Sequence, residues 1–292
     1  ASTFLPQVLN KRKFSFNCAK DGIHLIVLGF FKKLVIADAF ASSVDYVFLY
    51  YDNLNYLSLI IAAFLFSFQI YCDFSGYTDI ARGLAKLLGF DLILNFDFPY
   101  FSKSIAEFWK RWHISLSTWF RDYLYIPLGG SRVSKYKSIF NIFVVFLISG
   151  LWHGANLTFV FWGLIHAILF IPSFVLKDKI FDFHFKHNTN YYIISNIKRL
   201  YIFTIVTIAW IFFRSDSITH ALIYCKSIFT FSSGVFYFTI EEMGAGSFSN
   251  FIIGIISLLF LLFYEHKQYI GSKIKINVFN ISVIILFIIF FG

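Results

Sequence analysis

Apolar positions along this chain come in long blocks separated by short polar stretches, and the longest block decides the class of fold. Residues 138–176 pass without one Asp, Glu, Lys or Arg. At about 1.5 Å per residue such a run would make a helix of roughly 58 Å, nearly twice the ~30 Å hydrocarbon core of a bilayer. The block therefore reads as two spans, with Ser149-Gly150, Gly154 and Asn156 as natural places for the break. The candidate spans, in order, are 23–37, 56–72, 139–150, 157–176, 193–213, 250–264 and 279–291. Two of them are short for a simple crossing, which points to tilted, broken or re-entrant helices. Lys32-Lys33 interrupts the first and either snorkels from a helix end or faces the bundle interior. Alternating strand patterns of barrel type are missing. The expected fold is all-α, a polytopic transmembrane helical bundle forming one membrane-embedded domain over 1–292.

The polar stretch after the second block holds Asp73-Phe74-Ser75-Gly76-Tyr77-Thr78-Asp79, and Ile80 to Phe90 then reads as a short helix. Asn95 to Tyr100 reads as a turn, because the residue before a proline disfavours helix. Ser104 is a candidate N-cap, and Glu107 three residues on completes a capping box. Ile105, Phe108, Trp109, Trp112, Leu116, Trp119, Phe120 and Tyr123 then keep three-four spacing and fill a stripe about 120° wide. This predicts an amphipathic, Trp-rich interfacial helix over 104–123, with Lys110, Arg111, Thr118, Arg121 and Asp122 on the opposite face. His113 lies just beyond the edge of the stripe. Pro127 and Gly129-Gly130 end the helix.

Composition narrows the class. Hydrophobic residues make up 58% of the chain and charged residues only 14%, against about 25% charge in soluble domains, which excludes an ordinary water-soluble fold. The 42 Phe, 17 Tyr and 6 Trp suit a lipid-facing surface with interfacial anchors. A net charge of +9, concentrated at 11–20, 103–137 and 177–199, marks cytoplasmic segments and anionic lipid headgroups rather than nucleic acid. Part of it would also attract an anionic, nucleotide-bearing substrate, and 103–137 is the best candidate for a cytoplasmic region. Cys18, Cys72 and Cys225 are scattered without a CxxC and support neither a disulfide framework nor a metal site. The chain opens on Ala1 without an initiator Met or a signal sequence, so N-terminal spans of the natural protein are expected to be missing.

The candidate chemistry centres on histidine. His153 sits at the interruption of the charge-free run, where an ionisable group is costly and by default a hypothesis of function. Its bland alternative is a hydrogen-bonded core residue. Held dry, its imidazole stays neutral, the form a general base requires. His113 could project towards the bundle core or simply pack there. No HxxxH lies on one helix and no acid or Cys accompanies His153 at ligand spacing, so no metal is expected. His184 and His187 read as part of a solvated loop, while His24, His166, His220 and His266 are isolated and receive no role. Asp79 with Arg82, and Arg121 with Asp122, read as local ion pairs. Gly129-Gly130-Ser131-Arg132 is only a weak phosphate-binding signal, because it lacks P-loop spacing. These residues alone leave an enzyme and a transporter or channel with a histidine-lined path nearly even.

The segment from Phe98-Pro99-Tyr100 through Glu107-Phe108-Trp109-Lys110-Arg111-Trp112-His113 to Pro127-Leu128-Gly129-Gly130 resembles the signature of membrane-bound O-acyltransferases, bacterial alginate O-acetyltransferase-like branch. Gly150-Leu151-Trp152-His153-Gly154-Ala155 resembles the second signature of the family, and Asp73 to Ala81 and Trp210-Ile211-Phe212-Phe213-Arg214 also match. The signature core runs over 73–155, and Arg82 departs from the family's usual apolar residue. The resemblance implies a multi-pass enzyme of the bacterial cytoplasmic (inner) membrane that acetylates a cell-envelope polysaccharide or peptidoglycan, with D-alanyl transfer to teichoic acid as the alternative. His153 takes the place of the catalytic histidine and His113 that of a second functional one. Trp112, Trp152, Asn156, Asp122, Arg121 and Asp73 are the expected substrate-binding residues. The implied donor is acetyl-CoA or an acyl carrier, with no cofactor bound. The implied partners are membrane lipids and an extracytoplasmic acetyltransferase protein, and no nucleic acid.

Overall fold

The structure, a computed structural model, describes residues 4–9, 11, 14–176 and 189–271, with positions 285 and 288. Among these residues there are helices and no β-strand. In chain order they are α1 (Leu5–Leu9), α2 (Phe16–Phe30), α3 (Asp38–Leu49), α4 (Tyr56–Leu87), α5 (Ile105–Arg111), α6 (Ile114–Phe120), α7 (Lys135–His153), α8 (Leu157–Leu176), α9 (Thr189–Arg214), α10 (Ile218–Phe229), α11 (Ile240–Met243) and α12 (Ala245–Tyr269). A π-helical stretch, Phe31–Ala37, joins α2 to α3, and a second, Arg121–Tyr125, extends α6. Five described helices, α4, α7, α8, α9 and α12, are long and apolar enough to cross a membrane. The expected span at 279–291 and the His184–His187 loop lie outside the described residues.

The described residues gather into two compact units. The first comprises the residues up to Tyr50, 64–94 and those from Val235 on; the second comprises 51–63 and 95–234. Inside the first unit α2 and α4 meet backbone to backbone. A Cβ built on Gly29 would stand 2.5 Å from the Gly76 carbonyl oxygen, and one on Gly83 would stand 2.4 Å from that of Gly22. Helices that cannot rely on hydrophobic burial against lipid associate through such small residues. The close approach encloses a charged cluster. Lys32 reaches Asp79 at 3.0 Å and Glu265 of α12 at 3.6 Å, Arg82 reaches Asp79 at 3.3 Å, and the Tyr71 hydroxyl donates to Glu265 at 2.6 Å. Two cations thus face two carboxylates, and Lys32, Asp79 and Glu265 are all buried. Lys32 therefore faces the bundle interior, while half-exposed Lys33 pairs with Asp38 and Asp73.

Two sequence expectations need correcting here. The stretch Asp73–Asp79 is not a break, because α4 runs unbroken from Tyr56 to Leu87. Its acids are neutralised by lysines from a distant part of the chain, which removes the reason to leave the helix. The single interfacial helix expected over 104–123 is in fact two short helices, α5 and α6, separated at Trp112-His113.

Candidate active site

The break between α5 and α6 is built by hydrogen bonds from outside the helix. The Ile114 N–H donates to the Asn95 carbonyl at 3.0 Å, the Ser115 N–H to Asn95 Oδ1 at 3.1 Å, and the Asp97 N–H to the Arg111 carbonyl at 3.0 Å. Arg111 ties the same segment down through Asp97 at 3.1 Å and Glu107 at 3.0 Å. The extended segment 95–97 thus takes up backbone groups that a continuous helix would have used itself. His113 pivots at this point with φ +44° and ψ +55°, the left-handed region that residues other than Gly rarely occupy. Such outliers persist where surrounding structure over-determines them, and they cluster at functional sites. Ser104 caps α5 as expected, its Oγ accepting from the Glu107 N–H at 3.1 Å. The Glu107 carboxylate, however, takes the Lys103 N–H at 2.8 Å rather than that of Ser104.

His153 is the last residue of α7, and Gly154 breaks the chain there with φ +159° and ψ +170°. A Cβ on Gly154 would lie 2.8 Å from the Phe159 ring, so the turn requires glycine. Asn156 secures the next helix, its Oδ1 accepting from the Thr158 N–H at 3.1 Å and its Nδ2 donating to the Asp216 carbonyl at 2.8 Å. Ser149-Gly150 stays helical. Gly150 instead lets α7 and α8 touch, since its Cβ would stand 2.3 Å from the Phe159 carbonyl oxygen.

These two discontinuities bring the histidines together. Trp152 lies edge-on to both, with ring centroids 6.3 Å from His113 and 5.0 Å from His153. Trp162 of α8 and Phe213 of α9 wall the other side of His153, at 5.3 and 5.0 Å. Burial pushes the His113 imidazole down to about 4, and its neighbour His153 adds to that effect. At neutral pH His113 is therefore uncharged.

The remaining expected site residues fall differently. Trp112 adjoins His113 but turns into the core, where it packs against Phe96 at 5.0 Å, Phe108 at 5.6 Å and Trp210 at 5.1 Å. Asn156 has both ends of its amide engaged as above. Arg121 and Asp122 form an exposed pair at 2.8 Å. Arg121 also lines a largely apolar cavity of about 350 Å³ with Trp109, Tyr125, Phe146 and Phe170, and neither His113 nor His153 is among its lining residues. Asp73 belongs to the first unit, paired with Lys33. Among the described residues, no three His, Cys, Asp or Glu gather as metal ligands would. Sequence reasoning missed His166, which is fully buried and accepts from the Trp109 indole N–H at 3.3 Å. Its signal was its position one turn after Trp162 in a charge-free helix.

A bundle of apolar helices that gathers two histidines at helix breaks, one of them uncharged at neutral pH, defines an integral membrane protein with a candidate acid–base centre. The chain belongs to the membrane-bound O-acyltransferase (MBOAT) family, whose model matches residues 4–215. It is 34% identical to the probable alginate O-acetylase AlgI of Pseudomonas aeruginosa over 268 residues, covering 91% of this chain and 49% of that protein. It is 37% identical to the peptidoglycan O-acetyltransferase of Helicobacter pylori over 223 residues, 76% of this chain and 41% of that protein. Identity to the teichoic acid D-alanyltransferase of Bacillus subtilis is 33% over 155 residues, 51% of this chain and 39% of that protein. The chain spans about half the length of the curated relatives it matches.

Proposed function

We propose that this chain carries the catalytic part of an O-acetyltransferase of the bacterial inner membrane that modifies an envelope polysaccharide or peptidoglycan. One observation carries the reading most directly: His113 and His153, forty residues apart in sequence, share the Trp152 ring at two helix breaks. A hydroxyl is a weak nucleophile and needs a base within about 3 Å. In this reading the donor is acetyl-CoA or an acetylated carrier, reached from the basic cytoplasmic side. His153 takes the proton of the acceptor hydroxyl while its oxygen attacks the thioester carbonyl. As the tetrahedral intermediate collapses, the carbon–sulfur bond breaks and the proton passes to the leaving thiolate. His113, neutral, donates a hydrogen bond to the developing oxyanion or orients the acceptor. Trp162 and Phe213 exclude water that would hydrolyse the donor. In this reading the acceptor hydroxyl belongs to an extracytoplasmic partner protein; a hydroxyl of the polymer then attacks the new ester, taking the acetyl group and freeing the partner's hydroxyl.

The test is His153→Ala in the full-length protein, with acetylation of envelope polymers measured alongside membrane insertion. General-base catalysis contributes about 10²–10⁴-fold, so transfer is expected to fall by at least about a hundredfold. A correctly inserted variant that acetylates at the wild-type rate refutes the assignment. The likeness to a D-alanyltransferase is the specific observation behind a second reading, D-alanyl transfer to teichoic acid. Isotope-labelled acetate and D-alanine, fed in parallel, separate the two.

A further inference from the structure

The wall of His153 continues through Trp162 into a group of N–H donors whose hydrogen-bonding capacity the proposed chemistry does not use. Trp162, His166 and Trp210 are exposed by 1%, 0% and 2% of their surface. Their rings are in mutual contact, with centroids 4.8 Å apart for Trp162–His166, 5.6 Å for Trp162–Trp210 and 6.4 Å for His166–Trp210. His166 Nδ1 accepts from the Trp109 indole N–H at 3.3 Å. That bond fixes the tautomer, so the neutral ring carries its proton on Nε2. Among the described residues, His166 Nε2, Trp162 Nε1 and Trp210 Nε1 have no hydrogen-bond partner. The cluster therefore presents three buried N–H donors on three touching rings. Their other ring neighbours are Phe108, Trp109, Trp112, Phe146, His153 and Phe213, none of which offers an acidic side chain.

Buried donors in native proteins are satisfied almost without exception, and an orphaned one asks for an unseen partner. Three in contact narrow its chemistry. N–H groups repel a cation, an apolar group would leave them unpaired, and a full anion would be buried here with no Lys or Arg among the ring neighbours to balance it. We propose that Trp162, His166 and Trp210 form a binding site for a neutral oxygen acceptor set directly behind His153. Two sources carry that chemistry: an ordered water, or the carbonyl oxygen of the thioester donor. Water needs two to four polar partners to occupy a buried position, and three unpartnered N–H groups on touching rings are enough to provide two. A carbonyl oxygen that becomes an oxyanion gains from each additional donor. The carbonyl source rests on the proposed acyl transfer, and the water source does not.

The experiment is ultraviolet resonance Raman spectroscopy of the full-length protein in detergent, reading the indole bands that report N–H hydrogen bonding. Trp162→Phe and Trp210→Phe, made separately, assign the bands. Each keeps an aromatic ring and removes one donor, and if one variant fails to fold the other still gives an assignment. Spectra are taken for the resting protein, with acetyl-CoA, and with S-ethyl-CoA, which lacks the carbonyl. Hydrogen-bonded Trp162 or Trp210 in the resting protein supports the site with water as its occupant, whether or not acetyl transfer is found. Bonding that appears with acetyl-CoA and not with S-ethyl-CoA supports the site with the donor carbonyl as occupant. Unbonded N–H groups under all three conditions overturn the proposal while leaving the role of His153 to its own test.

Discussion

Gly163→Ala tests how the site is held together. A Cβ on Gly163 would meet the Phe146 carbonyl oxygen at 2.3 Å and its carbon at 3.1 Å, where ordinary contact begins at 3.4 Å. Both atoms belong to the backbone of α7, so neither can rotate away. The two helices must therefore part by the difference, 3.4 − 2.3 = 1.1 Å, at that point. Overpacking of this kind costs about 1–3 kcal/mol, and the better helix propensity of Ala offsets up to about 1 kcal/mol. A net loss of about 1–2 kcal/mol is expected. Trp162 precedes Gly163 and rests 5.3 Å from the His153 ring, so the wall of the site moves with α8. Misplacing a catalytic group by about 1 Å costs on the order of 10²-fold in rate. Thermal unfolding of the purified full-length protein and its turnover in the proposed acetyl transfer measure the two effects. Gly246→Ala is the control, since nothing lies within 4 Å of its Cβ and a Gly→Ala change in the first turn of α12 should stabilise by no more than the ~0.5–1 kcal/mol of a mid-helix change. If the Gly163 variant unfolds with the wild type and turns over within twofold of it, the backbone contact does not position the site.

Further consequences follow from other contacts. Lys32→Met leaves Asp79 and Glu265 buried with less counter-charge, and unfolding should become easier by about 3–5 kcal/mol; the double change K32M/E265Q, which keeps Arg82 paired with Asp79, should recover most of that loss in the same melt. The pKa of His113 is lowered from 6.5 to about 4 by burial, so between these values the unfolded chain binds the extra proton. Its contribution to stability is accordingly full above pH 6.5 and is lost as pH falls towards 4, and His113→Asn should flatten that part of a stability-against-pH curve. Asn tolerates the left-handed backbone at position 113, so His113→Ala should melt below His113→Asn by about 1 kcal/mol. Asn156→Ala removes the tie to the Asp216 carbonyl and the bond to the Thr158 N–H, for a loss of about 1–2 kcal/mol in thermal unfolding.

The sequence made some elements legible and concealed others for physical reasons. The expected span 157–176 coincides with α8, because Gly154 and Asn156 are local stop-and-start signals and need no partner to act. The expectation for 56–72 stopped short because Asp73 and Asp79 look like a membrane boundary. What keeps the helix going to Leu87 is neutralisation by Lys33 and Lys32, about forty residues back, which no local pattern displays. The break at His113 has the same character. Its apolar spacing continues uninterrupted through 112–116, and only hydrogen bonds from Asn95 reveal the pivot. Both central histidines stood out because each carries polarity into an apolar setting. Of the rings that wall His153, Trp162 read from the sequence as an ordinary span residue and Phe213 as part of a family-like segment with no role of its own, and His166 was indistinguishable from an isolated core histidine without its bond to Trp109.

His113 and His153 share one structural device, and it explains why a membrane bundle would tolerate interrupted helices. A side chain in mid-helix is held on the flank of its own cylinder, whereas a residue at a discontinuity can reach the space between helices. The cost is exposed backbone, which lipid cannot satisfy. Each break is accordingly supplied with its own partners. Asn95 and the Asp97 N–H serve the α5–α6 break, while the Leu151 carbonyl, which accepts from the Gly154 N–H at 3.2 Å, serves the end of α7 and Asn156 the start of α8. The polar residues most tightly engaged around the site are thus spent on the backbone. Beside His153, the N–H groups of Trp162, His166 and Trp210 are left without a hydrogen-bond partner among the described residues.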